Sequence, residues 1–95
     1  MREYEVALLL SPQQDEESHA GSIEKVKDFI VKNGGEILEE EDWGIRKLAY
    51  PIKKQEYGRY YFIRFKSTPN VAYDLNNHIR LMRAFLRHMI VRRDD

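Results

Sequence analysis

The sequence predicts an α+β fold, with four strands and two helices in the order βαββαβ, an antiparallel sheet, and both helices on one face. Three observations carry this expectation. Residues 2–10 alternate in the period-two manner of a strand. Two segments with helical spacing each begin at a capping signal, at Asp15 and at Ser67-Thr68-Pro69. Between them lies an aromatic, basic stretch from Trp43 to Lys66 that reads as a hairpin.

In the first strand Tyr4, Val6, Leu8 and Leu10 share the side with the purer apolar run, which predicts the core face. Leu9 breaks the polar side, so the second face is not simply wet. Ser11-Pro12 ends the strand, because proline cannot donate to a ladder. Asp15 is the expected N-cap, with Glu16 and Glu17 at the positive end of the helix dipole. Ile23, Val26 and Ile30, widened by Phe29, form the apolar stripe, and Gly34-Gly35 supplies the stop.

Glu36 to Lys47 reads as the second strand, kinked at Asp42-Trp43-Gly44, with Ile37 and Ile45 on its buried side and Trp43 either beside them in the core or at an interface. Leu48 to Ile52 contains Pro51 and is expected as an edge or exit, with a hairpin tip at Lys53 to Glu56. Tyr57 to Lys66 is the clearest strand. Tyr61, Ile63 and Phe65 are expected to meet the helices, leaving Tyr60, Phe62, Arg64 and Lys66 on the open side. The second helix carries Val71, Ala72, Leu75, His78 and Ile79.

After that helix, periodicity allows either one long helix to residue 91 or a fourth strand from Ala84 to Val91. In the strand reading Leu86, His88 and Ile90 share one face and Phe85, Arg87, Met89 and Val91 the other. The exposed edge of the first strand needs a partner, which selects the strand. The result is the ferredoxin-like split βαβ arrangement with strand order 4-1-3-2. Residues 1–95 are expected to form a single domain.

Composition narrows the function. There is no cysteine, which removes disulfides and Cys-based zinc sites. The apolar run Val6 to Leu10 is too short to span a membrane, so a cytoplasmic protein is expected. The net charge of zero hides an asymmetry: residues 1–42 hold four bases and twelve acids, residues 43–95 twelve bases and four acids. The basic half leaves a polyanion partner open.

Enzyme chemistry finds little support. His19, His78 and His88 sit in three different elements, and no GxGxxG, GxxxxGK[ST] or HExxH occurs. The run Glu39 to Asp42 is a poor metal site, because adjacent carboxylates on a strand point to opposite faces. A phosphate-cradling hydrolase would need Gly and Arg after the first strand, where Ser11-Pro12-Gln13-Gln14 stands. No catalytic residue, metal, cofactor or small-molecule substrate is therefore expected. The RNA-recognition fold shares this element order, but its third-strand glycines are absent here: Arg59 and Tyr61 occupy their places. A stand-alone RNA-binding or small-ligand regulatory module remains the alternative reading.

Four segments resemble the bacterial ribosomal protein S-six family of the small subunit: MREYEV, DWGIRKLAYPIKK, YGRYYFIRFK and RHMIVRR. The most specific block is Gly44, Arg46, Leu48, Ala49, Tyr50, Pro51, Ile52 and Lys53. The resemblance implies the same split βαβ fold, no enzymatic activity, and a place on the cytoplasmic ribosome. It further implies a heterodimer with ribosomal protein S-eighteen that binds the central domain of small-subunit ribosomal RNA during assembly. Joined to the charge map, it nominates Arg2, Arg46, Lys47, Lys53, Lys54, Arg59 and Arg64 for RNA phosphates. It nominates Tyr50, Tyr60 and Phe62 for the protein partner or for stacking on RNA.

Overall fold

A computed structural model describes residues 1–93; Asp94 and Asp95, which enter the charge count above, lie outside the described residues. The elements are β1 (Arg2–Leu10), α1 (Glu16–Lys32), β2 (Glu36–Ile52), β3 (Gln55–Ser67), α2 (Pro69–Arg80) and β4 (Phe85–Arg92). The strands form one antiparallel sheet in the order β2-β3-β1-β4. This is the ferredoxin-like split βαβ fold, and the fork after α2 resolves as a strand.

The helix boundaries follow from local chemistry. The carboxylate of Asp15 accepts a hydrogen bond from the Ser18 amide at 2.8 Å, satisfying one of the free donors at the start of α1. At the other end Gly34 takes φ +87°, and the Gly35 amide bonds back to the Ile30 carbonyl at 2.8 Å. Only glycine adopts that left-handed closure cheaply. Pro69 opens α2 at the position where its missing N–H costs nothing.

The core lies between the sheet and the two helices. Val6, Leu8, Leu10, Ile63 and Phe65 from the sheet are fully buried against Val26 and Ile30 of α1 and Leu75 and Ile79 of α2. Phe65 stacks on Tyr4 with centroids 5.5 Å apart. These are the faces that alternation selects. Two details differ from expectation. Ile45 is 59% exposed: it lies on the edge strand opposite Arg59, in the row where β1 ends at Leu10. Phe85 joins the core beside His88 and Ile90, because the ladder shifts between Leu9 and Leu10 and leaves Leu86 as an extra residue. A single-residue bulge exchanges the faces on either side of it.

The β2–β3 hairpin turns on Lys53 and Lys54 alone, with φ of 49° and 67°, since Ile52 already pairs with Gln55. The tip is thus tighter than the four residues anticipated. The next pair is Lys47 with Tyr57, so Leu48 to Pro51 stand opposite Glu56 alone. This wide bulge absorbs Pro51, which has no amide to offer a ladder.

Candidate nucleic-acid and partner interface

The face of the sheet away from the helices is built in rows set by strand pairing. At one end Lys66 lies between Glu36 and Glu3. The next row places Arg64 between Glu39 and Glu5, and its guanidinium bonds the Glu39 carboxylate at 3.0 Å and approaches Glu3 at 3.7 Å. These rows neutralise themselves.

The middle rows are apolar. Phe62 pairs with Ala7, which pairs with Met89; Tyr60 pairs with Leu9, which pairs with Arg87. Leu9 is 3% exposed although it faces away from the helices. It is covered by the β2 bulge: a Cβ on Gly58 would lie 2.5 Å from Leu9 Cδ1 and 3.5 Å from Leu48 Cδ2, so glycine is what lets these two leucines close over β3. Trp43 packs against Phe62 with ring centroids 4.7 Å apart and planes tilted by 55°, Phe62 lies parallel to Tyr60 at 6.4 Å, and the Arg46 guanidinium sits 5.7 Å above the indole. Trp43 is therefore a surface residue, 47% exposed, and not part of the core.

A groove of about 240 Å³ opens between the bulge and β4, lined by Ala7, Leu9, Ile52, Tyr60, Arg87 and Met89 among others. One of its walls is fastened. Arg87 Nη1 donates to the Tyr50 phenol oxygen at 2.7 Å, so the bulge reaches over the sheet as far as β4. Tyr50 itself is exposed.

The seven nominated cations separate into groups. Arg46, Lys47, Lys53 and Lys54 collect at the hairpin end, and none has a carboxylate partner among the described residues. Arg2 stands at the opposite end of the sheet, paired with Ser67. Arg64 is engaged in the acid–base rows. Arg59 faces the helix side and its side chain is only 11% exposed. It binds Asp42 through Nε and Nη2 at 3.2 and 2.7 Å, and Glu16 through Nη1 at 2.9 Å. The expectation that Arg59 and Arg64 are free cations thus meets a physical obstacle: their charge is already matched within the chain.

Sequence reasoning missed the residue beneath Arg59. His19 is 3% exposed; its Nε2 lies 2.8 Å from the Ser11 carbonyl and its Nδ1 3.0 Å from Arg59 Nη1. Nε2 must therefore carry the proton and donate to the carbonyl, while Nδ1 accepts from the guanidinium. Its spacing of four residues before Ile23 was the available signal. The Arg59 contact holds the Asp42 carboxyl below the ordinary carboxylate range. Nearby, the Tyr61 hydroxyl donates to Glu40 at 2.6 Å, and burial together with that carboxylate pushes the phenol up to about 12.

No group of metal-binding side chains occurs among the described residues, and no helix is long and apolar enough to cross a membrane. The family profile described as Ribosomal protein S6 matches residues 3–92. The chain is 45% identical to the small ribosomal subunit protein bS6 of Caldanaerobacter subterraneus subsp. tengcongensis, over the whole of both chains. It is 42% identical to the protein of that name from Clostridium novyi, over 96% of each. The crystal structure of 30S ribosomal protein S6 from Thermotoga maritima superposes with a TM-score of 0.91 at 33% identity, covering 97% of this chain and 87% of that one. Its relatives are structural proteins and not enzymes. The aromatic hairpin, the sheet order and the whole length of the chain therefore lead to one assignment: this protein belongs to the ribosomal protein S6 family of the small ribosomal subunit.

Proposed function

We propose that the protein binds the central domain of small-subunit ribosomal RNA as one half of a heterodimer with ribosomal protein S-eighteen, in the cytoplasm, with residues 1–95 acting as one domain. The observation that carries this reading is the division of the helix-free face. An uncovered aromatic belt of Tyr60, Phe62 and Trp43 adjoins cations that lack carboxylate partners. Apolar surface of that kind is what a protein partner covers. Unpaired cations are what phosphates neutralise. The overall charge of zero supports the need for a partner, since a near-neutral protein releases few counterions by itself. A basic partner would supply the remaining field.

The test is a titration of a central-domain RNA fragment with this protein, with the partner, and with both, at several salt concentrations. Tight binding that requires both proteins is the expected result. If adding this protein gains nothing, the reading fails. Tight binding by this protein alone would make it a stand-alone RNA-binding module instead.

A further inference from the structure

Ion pairing takes up some of the cations of this chain. Lys27 is held by Glu24 and Glu40, Arg59 by Glu16 and Asp42, Arg64 by Glu3 and Glu39, and Arg93 by Glu5. Lys47, Lys53, Lys54, Arg80 and Arg83 are exposed, and their side chains have no carboxylate partner among the described residues. All five lie at one end of the sheet. Lys47, Lys53 and Lys54 belong to the hairpin that overhangs β1, whose last residue, Leu10, already pairs with Arg59 and Phe85. Arg80 ends α2 and Arg83 lies in the turn that leads to Phe85, at that same end.

Arg87 bridges the two groups. It stands on the open face beside Leu9, and its bond to Tyr50 joins β4 to the segment that leads into the hairpin tip. The acids at this end are Glu56 in the hairpin and Asp15, Glu16 and Glu17 at the start of α1. Asp15 caps its helix and Glu16 is taken by Arg59.

The hairpin tip carries a second, independent signal. Lys53 and Lys54 both adopt positive φ, at 49° and 67°, in a two-residue turn. Such turns favour Asn-Gly, because a Cβ is strained there. Two lysines in that conformation keep charge at the tip against the local backbone preference.

We infer that the hairpin tip, Arg87, Arg83 and Arg80 form one continuous rim that follows a phosphate backbone of RNA, which adds the α2–β4 corner to the contacts assigned above. This rests on the proposed RNA-binding function and deepens it. The aromatic belt is left to the protein partner. The neutral rows around Arg64 and Lys66 face away from the RNA.

The experiment uses the full chain with S-eighteen and a central-domain RNA fragment, and reads affinity against salt concentration. Arg80→Gln with Arg83→Gln changes two exposed side chains, and an unaltered circular dichroism spectrum and urea midpoint establish that the variant is folded. The rim predicts a salt slope lower by about two units and weaker binding at every salt concentration. The matching pair at the far end, Lys32→Gln with Lys66→Gln, should leave the slope within error. The rim is overturned if wild type binds tightly and the Arg80/Arg83 variant keeps its slope, or if the far-end pair takes the loss. It is equally overturned if the Arg80/Arg83 variant loses heterodimer affinity in the absence of RNA. If the wild-type pair binds no RNA, the proposed function itself fails, and the rim with it.

Discussion

The phenol of Tyr50 and the guanidinium of Arg87 meet at 2.7 Å although 37 positions separate them in the chain. One comes from a bulge in an edge strand and the other from the opposite edge strand, so their bond straps the bulge across the two strands between them. Tyr50→Phe removes the acceptor while keeping the ring. An exposed bond of this kind contributes about 0.5–1.5 kcal/mol, so the urea midpoint should fall only slightly. The larger effect is local: amide exchange at Leu48 to Ile52, Pro51 excepted, should accelerate. Unchanged exchange there would show that the bulge is held by Leu48 packing alone.

Gly35 is needed for closeness. A Cβ there would lie 2.7 Å from Ile30 Cγ2, 3.0 Å from the Ile30 carbonyl and 3.1 Å from the Lys66 carbonyl. Two of these are backbone atoms from separate elements, so no rotamer change makes room. Gly35→Ala should cost about 1–3 kcal/mol by overpacking, read from urea unfolding. A variant as stable as wild type would mean that α1 and β3 can move apart.

The hairpin tip makes the opposite prediction. Lys53→Asn with Lys54→Gly suits both positive φ values and should raise stability by about 1 kcal/mol, measured by thermal or urea unfolding. The same variant should bind RNA more weakly in the presence of the partner. A gain in both properties would remove the case that charge is retained at the tip.

Two pH limbs follow from side-chain partners. Hydrogen bonds from Arg59 and Tyr61 lower the carboxyl groups of Asp42 and Glu40 in the folded state. Their stabilisation is present above the unfolded values of 3.8 and 4.5 and is lost as pH falls through the lower folded ones. Stability should therefore decline on acidification below about pH 4.5, less steeply in Asp42→Asn. Tyr61 moves the other way. Its phenol rises from 10.0 to about 12, so the stability it contributes is full below 10.0 and lost towards 12. Absorbance at alkaline pH should show a tyrosine step near 12, and Tyr61→Phe should abolish that step.

The core gives the largest effect. Phe65 is fully buried between both helices and the sheet and stacks on Tyr4. Phe65→Ala should cost about 3–5 kcal/mol, a large share of the stability of a small protein. A loss below 1 kcal/mol would require the helices to collapse into the space.

The unpaired edge of β1 selected the fourth strand and with it the split βαβ order; periodicity in the sequence determined the other five elements, the core faces of β1 and β3 and the stripe on α1. These depend on neighbours in the chain, where alternation and helical spacing report burial directly. The segment Leu48 to Ile52 also declared itself, because Pro51 excludes a regular ladder. The tertiary structure alone decided what the charges and bulges do. Arg59 reads as a free cation until β2 and α1 bring Asp42 and Glu16 against it, 17 and 43 residues away. His19 reads only as one of three histidines in separate elements until Arg59 covers it. Phe85 changes face because one extra residue enters the β4 ladder, and Tyr50 finds Arg87 only once the bulge crosses the sheet. The physical reason is common to all four. Ion pairs, buried polar contacts and bulges are settled by residues distant in the chain, whereas the pattern of apolar side chains is written along it.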